Sequence, residues 1–286
     1  VIDLVTPGLT ARVAEHGAEL VSLVHPTAGE LLWQAGPAWP RHAPVLFPIV
    51  GRLPEDTLEV AGRRFRMTQH GFARDRDFTV VDRSPTRAVL RLTDDEDTRS
   101  RFPYAFVLTV EHVLHPDRLT TTYEVANPGG EPLPVSLGTH PAFVWPLPGG
   151  DPKDAHELVF AAPEPGPVHR LSEGLLEPTP LPTPVVGDRL ALSEQLFAAD
   201  ALIWTETASR ELRYASPGSA VSLTLSWQGF PQLGVWSKPG AGFLCLEPWA
   251  GYASPVAADL DISAKPGMML LQPGEARQLT TSSQVS

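Results

Sequence analysis

The stretch Phe106-Val107-Leu108-Thr109-Val110-Glu111-His112-Val113-Leu114, followed by His115-Pro116-Asp117-Arg118 and then Leu119-Thr120-Thr121-Thr122-Tyr123-Glu124-Val125, decides the fold class. Phe106, Leu108, Val110 and Leu114 alternate with Thr109, Glu111 and His115, the two-residue period of a half-buried strand. Leu119, Thr121, Tyr123 and Val125 alternate in the same way against Thr120, Thr122 and Glu124. The Pro-Asp turn between the runs closes them into an antiparallel hairpin. Val221, Leu223, Leu225 and Trp227 repeat the pattern against Ser222, Thr224 and Ser226.

Outside these runs, 31 prolines and 23 glycines interrupt the chain. Proline removes a backbone donor and blocks the preceding helical turn, so windows long enough for a regular helix are scarce. Many short strands between turn signals predict an all-β antiparallel sandwich or barrel rather than alternating β and α units. The Pro-rich and Gly-rich stretch from Pro146 to Pro184 reads as long surface loops around a few strands such as His156 to Phe160. No fixed-period repeat or heptad pattern occurs. A chain of 286 residues with 42% hydrophobic content is expected to form a single domain over residues 1–286.

The 22 Lys+Arg against 33 Asp+Glu give a net charge of −11. That disfavours a surface tracking nucleic-acid phosphates, although a local basic pocket remains allowed. Cys245 is the single cysteine, which excludes an intramolecular disulfide framework and multi-cysteine metal sites and predicts a reducing, cytoplasmic setting. No apolar run approaches the roughly 20 residues of a membrane span, and no signal-peptide pattern opens the sequence. A monomer or homodimer without membrane or nucleic-acid partners is expected.

Ionisable groups sit beside apolar residues in Gln69-His70-Gly71-Phe72-Ala73-Arg74-Asp75, Gly138-Thr139-His140-Pro141-Ala142-Phe143 and Cys245-Leu246-Glu247-Pro248-Trp249. A glutamate flanked by Leu246 and Pro248-Trp249 sits in a low-polarity site, where desolvation raises a carboxyl pKa toward the range of a general base. Histidines are its natural proton partners near neutral pH. The plain alternatives are a buried glutamate satisfied by backbone amides and a turn histidine bonded to a carbonyl. His16, His25, His42, His112, His115, His156 and His169 have no such motif around them and read as surface or packing residues. A metal site built from His70, His140 and Glu247 would lack any short-spaced ligand pair to nucleate it, so no metal is expected.

These clusters, with Glu30-Leu31-Leu32-Trp33, Pro44-Val45-Leu46-Phe47-Pro48-Ile49-Val50-Gly51-Arg52, Phe197 to Ile203 around Asp200, and Leu233-Gly234-Val235-Trp236, follow an order that resembles the aldose 1-epimerase, galactose-mutarotase-like family. The resemblance covers nearly the whole chain. It implies a galactose-mutarotase-type β-sandwich (supersandwich) that interconverts the α and β anomers of a hexose or hexose phosphate without a cofactor. It further implies Glu247 as base, His140 as acid and His70 as a group stabilising charge near the ring oxygen or C1. Arg52, Gln69, Arg74 and Asp200 match sugar-binding positions. Gln69 and Arg74 also match positions of the related hexose-6-phosphate mutarotases, so a phosphorylated aldose would meet Arg52 and Arg74. Trp249 is the best candidate for stacking on a pyranose face, provided Pro248 does not break the strand. Cys245 is given no catalytic role. The competing reading is a non-catalytic carbohydrate-binding or sugar-sensing protein on the same fold. A hydrolase would need a second carboxylate, for which Asp200 is a distant candidate.

Overall fold

The computed structural model describes all of residues 1–286. Its largest sheet has nine antiparallel strands, in the order Arg189–Ala191, Glu157–Phe160, Glu211–Ala215, Leu223–Gln228, Ala276–Val285, Arg118–Ala126, Val107–Leu114, Arg87–Thr93 and Thr79–Ser84. The hairpin read from the sequence lies inside this sheet, with Leu108 opposite Val125 and Val110 opposite Tyr123. Those side chains are buried, whereas Thr109, Glu111, Thr122 and Glu124 alternate onto the other, half-buried face. Helix is confined to the six-residue Glu96–Arg101 and to short 3-10 turns. No helix is long and apolar enough to cross a membrane.

One polar pair breaks the apolar face of the hairpin. His112, opposite Thr121, is buried, with Nδ1 at 3.0 Å from Thr121 Oγ1 and Nε2 at 3.1 Å from the Ala18 carbonyl. Because a carbonyl can only accept, Nε2 carries the proton and Nδ1 accepts from the threonine hydroxyl. Burial pushes the imidazole pKa down to about 4.

A second antiparallel sheet runs Leu202–Trp204, Gln232–Trp236, Phe243–Ala250, Leu137–Thr139 and Val45–Leu46, and Ala142–Val144 also pairs with Phe243–Ala250. Strand alternation gives this sheet two different faces. Leu202, Trp204, Leu233, Val235, Leu244 and Leu246 join residues of the larger sheet in a continuous core cluster of 63 buried residues. The intervening Ile203, Gly234, Glu247 and Trp249 face the opposite way, with Ile203 paired to Gly234 and Gly234 to Glu247. The candidate site occupies that outer face.

Candidate active site

Glu247 sits within a continuous strand, Phe243–Ala250, that passes through Pro248. Leu246 donates its N–H to the Pro141 carbonyl. Two residues on, Pro248 faces the same side, where His140-Pro141 lies between Leu137–Thr139 and Ala142–Val144 and leaves the regular ladder. The proline therefore replaces a donor that has no ladder partner. Glu247 and Trp249 consequently share a face. Gly138 and Gly234 flank the Trp249 indole; a Cβ at Gly234 would lie 2.5 Å from its ring carbons and one at Gly138 2.8 Å from Cδ1. Hydrogen side chains at both positions let the indole lie against the sheet.

The same departure from the ladder brings His140 beside Glu247, with Nε2 at 3.2 Å from Oε2. Both residues are buried. The contact is not aligned as a hydrogen bond, and Glu247 Oε2 and His140 Nδ1 have no hydrogen-bond partner. Burial, reinforced by the negative charge of Asp200, raises the Glu247 pKa well above the ordinary carboxylate range. Burial also lowers His140 to about 3, with Arg74 and Arg41 adding repulsion. Both directions favour an uncharged carboxyl beside an uncharged imidazole.

His70 comes from the loop that crosses the other side of the cleft. Its Nδ1 accepts from the Gly51 N–H at 3.1 Å, and its own N–H donates to the Gly51 carbonyl. That fixes the tautomer, leaving Nε2–H as the donor. Burial lowers the pKa of His70 well below its ordinary value, with Arg74, His140 and Arg41 contributing. Gly71 follows at φ +71°, where a Cβ would meet the Phe47 carbonyl oxygen at 2.2 Å. The His-Gly pair in the sequence thus reflects a loop pressed against the Phe47 backbone.

Every residue picked from the sequence lines one cleft of about 440 Å³: Glu247, His140, His70, Arg52, Gln69, Arg74, Asp200 and Trp249. Their polar groups differ in how free they are. Arg52 is clamped by Asp56 through Nε at 2.7 Å and Nη2 at 3.2 Å, and its Nη1 donates to the Glu173 carbonyl. Arg74 donates Nη2 to the Gln69 carbonyl at 2.6 Å, while its buried Nε has no hydrogen-bond partner. Burial brings Arg74 down to about 10. Asp200, at φ +66°, accepts from the Ala201 N–H through Oδ1, and Arg170 donates to the carbonyls of Leu196, Asp200 and Ala201.

Sequence reasoning passed over Trp39, Glu173 and Gly174, which also line the cleft, and gave Trp236 no role of its own. Trp39 stacks on His140 with ring centres 4.8 Å apart, and the rings of Trp236 and His70 each stand nearly perpendicular to it at 5.8 Å. Glu173 and Gly174 form the tip of the hairpin Leu171–Ser172/Leu175–Leu176. Nothing in the local sequence of Trp39 or Glu173 marks them, because their loops meet the sheet only in the folded chain.

The aldose 1-epimerase family profile matches residues 1–284. The chain belongs to the aldose 1-epimerase family. Protein LacX, chromosomal, from Lactococcus lactis subsp. lactis is 29% identical over 95% of this chain and 95% of its own. A galactose mutarotase related enzyme from Lactobacillus acidophilus is 30% identical, with TM-score 0.92 over 100% of this chain and 97% of its own. A galactose mutarotase-like protein from Lactobacillus casei gives the same identity and TM-score over 100% and 99%. The sandwich architecture expected from the sequence is therefore that of the aldose 1-epimerase family, and the cleft lies on the outer face of its smaller sheet.

Proposed function

We propose that this protein is a mutarotase interconverting the α and β anomers of a neutral aldose, with Glu247 and His140 as the proton-transfer pair. The supporting observation is their 3.2 Å contact in a buried cleft, with the carboxyl pKa raised and the imidazole pKa lowered. Such a pair holds one labile proton, as carboxylate with imidazolium or as carboxyl with neutral imidazole. Ring opening converts the first state into the second. Glu247 takes the proton of the C1 hydroxyl, the C1–O5 bond breaks as the carbonyl forms, and His140 protonates O5. Because burial favours the uncharged pair, opening draws on its less populated carboxylate–imidazolium form and returns the pair to the favoured state. Rotation about C1–C2 presents the other carbonyl face, and both transfers reverse as the ring closes. The fixed Nε2–H of His70 is the donor for negative charge developing on oxygen.

Gln69, Arg74 and Asp200 supply the groups for sugar hydroxyls, and Trp249 an apolar surface for the C–H face of the ring. The charge distribution favours a neutral substrate over a phosphorylated one. The Arg52 fork is already held by Asp56, while Glu173 and Asp200 place carboxylates on the cleft wall. A phosphate would have to displace Asp56 and approach both acids. Exchange NMR on free hexoses and their 6-phosphates tests this reading. Exchange of a free hexose with much slower exchange of its phosphate is expected, and the opposite order would contradict the neutral-sugar assignment. Tight binding with no exchange of any aldose would instead support the sugar-sensing alternative.

A further inference from the structure

Cys245 lies on the Glu247 face of the same strand, yet proton transfer makes no use of its thiol. The Cys245 sulfur, a His140 ring nitrogen and a Glu247 carboxylate oxygen all lie within 4.8 Å of one another. All three residues are buried. We propose that Cys245, His140 and Glu247 form a site for a single zinc-like divalent ion, whose binding shuts off the proton-transfer pair.

The donor set carries the first part of this inference. Thiolate, imidazole and carboxylate are the ligand types zinc accepts, and tetrahedral zinc with bonds of about 2.0–2.3 Å keeps its donor atoms about 3.5 Å apart. His140 Nε2 and Glu247 Oε2 already stand 3.2 Å apart. The widest separation needs to close by only about 1 Å to meet that spacing. The second part is the state of the donors. Glu247 Oε2 is buried without a hydrogen-bond partner, so coordination through it satisfies a polar atom that the protein leaves unsatisfied.

Charge balance completes the fit. The ion displaces the thiol proton and the carboxyl proton to solvent, and two anionic ligands then neutralise its double charge. The buried product is a neutral cluster, far less costly than an isolated ion. His140 and Glu247 both line the cleft, which gives the ion its way in. A metal there occupies the lone pairs that take and return the sugar protons, so it acts as an inhibitor and not as a cofactor.

The site itself is tested with Co²⁺ added to the unmodified protein, because thiolate ligation gives cobalt a sulfur-to-metal charge-transfer absorption in the near ultraviolet. One equivalent should generate that absorption in the parent, and Cys245→Ser should lack it. Zn²⁺ titration of anomer exchange tests the consequence, with Cys245→Ser expected to require at least 100-fold more metal for half-inhibition and chelation expected to restore the parent's activity. Absence of the cobalt–sulfur absorption in the parent overturns the site. Equal zinc sensitivity of parent and variant overturns the inhibition. The inhibitory part rests on the mutarotase reading, whereas the cobalt spectrum does not, so a protein without exchange activity still yields a decision on the metal.

Discussion

His140 has an aromatic ring on one face and ring edges around it, an unusual setting for a side chain proposed to become a cation. Burial opposes that cation, and Trp39, stacked at 4.8 Å, offsets part of the opposition by presenting its electron-rich face. Replacing Trp39 by Leu keeps an apolar cover and removes the π-system. It is expected to lower kcat about 10-fold, equivalent to about 1.4 kcal/mol, with a smaller effect on KM. A pure loss of sugar binding, raising KM alone, would assign Trp39 to the substrate instead. The pH profile follows from the same pair. Activity is expected to fall as pH drops through about 3, where His140 takes a second proton into the pair. It is expected to fall again as pH rises past the elevated carboxyl pKa of Glu247, where the pair loses its only labile proton. Stopped-flow polarimetry across pH measures both limbs, and a profile governed by a single ordinary histidine would contradict the assignment.

The strand Phe243–Ala250 divides its residues between the core and the cleft, so small changes beside it have two consequences. Gly234→Ala would put a methyl 2.5 Å from the Trp249 ring. Since the ring lies flat against the sheet at Gly138 and Gly234, the expected result is about 1–3 kcal/mol of destabilisation together with loss of exchange activity. Chemical denaturation and exchange NMR on that variant check each part. The hairpin carries a separate pH term through His112. Its folded pKa of about 4 lies below the unfolded value of about 6.5, so the unfolded chain binds the proton more readily between those values. Stability is therefore lost as pH falls from about 6.5 to about 4, by up to about 3 kcal/mol. His112→Gln should flatten that slope in denaturant titrations at several pH values. Alternation made the hairpin legible from Phe106 to Val125, because one face of it needs water and the other excludes it. The clusters that line the cleft were legible from their polar residues in apolar settings and their order along the chain. Trp249 remained conditional because only the ladder shows that Pro248 faces a gap. Trp39 and Glu173 were not legible at all, since loop residues acquire their neighbours from tertiary packing and carry no periodicity.

Across the whole molecule, the family profile spans residues 1–284 and the principal core draws residues from both large sheets. We propose that the chain unfolds as one cooperative unit. Calorimetry and circular dichroism are expected to report one coincident transition, and two separable transitions would contradict a single domain. The net charge of −11 bears on substrate choice as well. Its field disfavours anions at the cleft but exerts no comparable force on a neutral sugar. For a free hexose, kcat/KM should be nearly independent of ionic strength. A hexose 6-phosphate turned over with a kcat/KM that falls steeply with added salt would instead indicate steering of a charged substrate and reopen a phosphate role for Arg52 and Arg74.

The central claim is that Glu247 exchanges a proton with the anomeric hydroxyl. Exchange NMR on the Glu247→Gln variant measures it most directly, because glutamine keeps the shape and hydrogen-bonding reach of the side chain while removing the base. The account predicts that the anomer exchange rate falls by at least about 100-fold while sugar binding, followed by line broadening in the same samples, stays within a few-fold of the parent. Exchange at a near-parental rate in a folded, sugar-binding Glu247→Gln protein would contradict it.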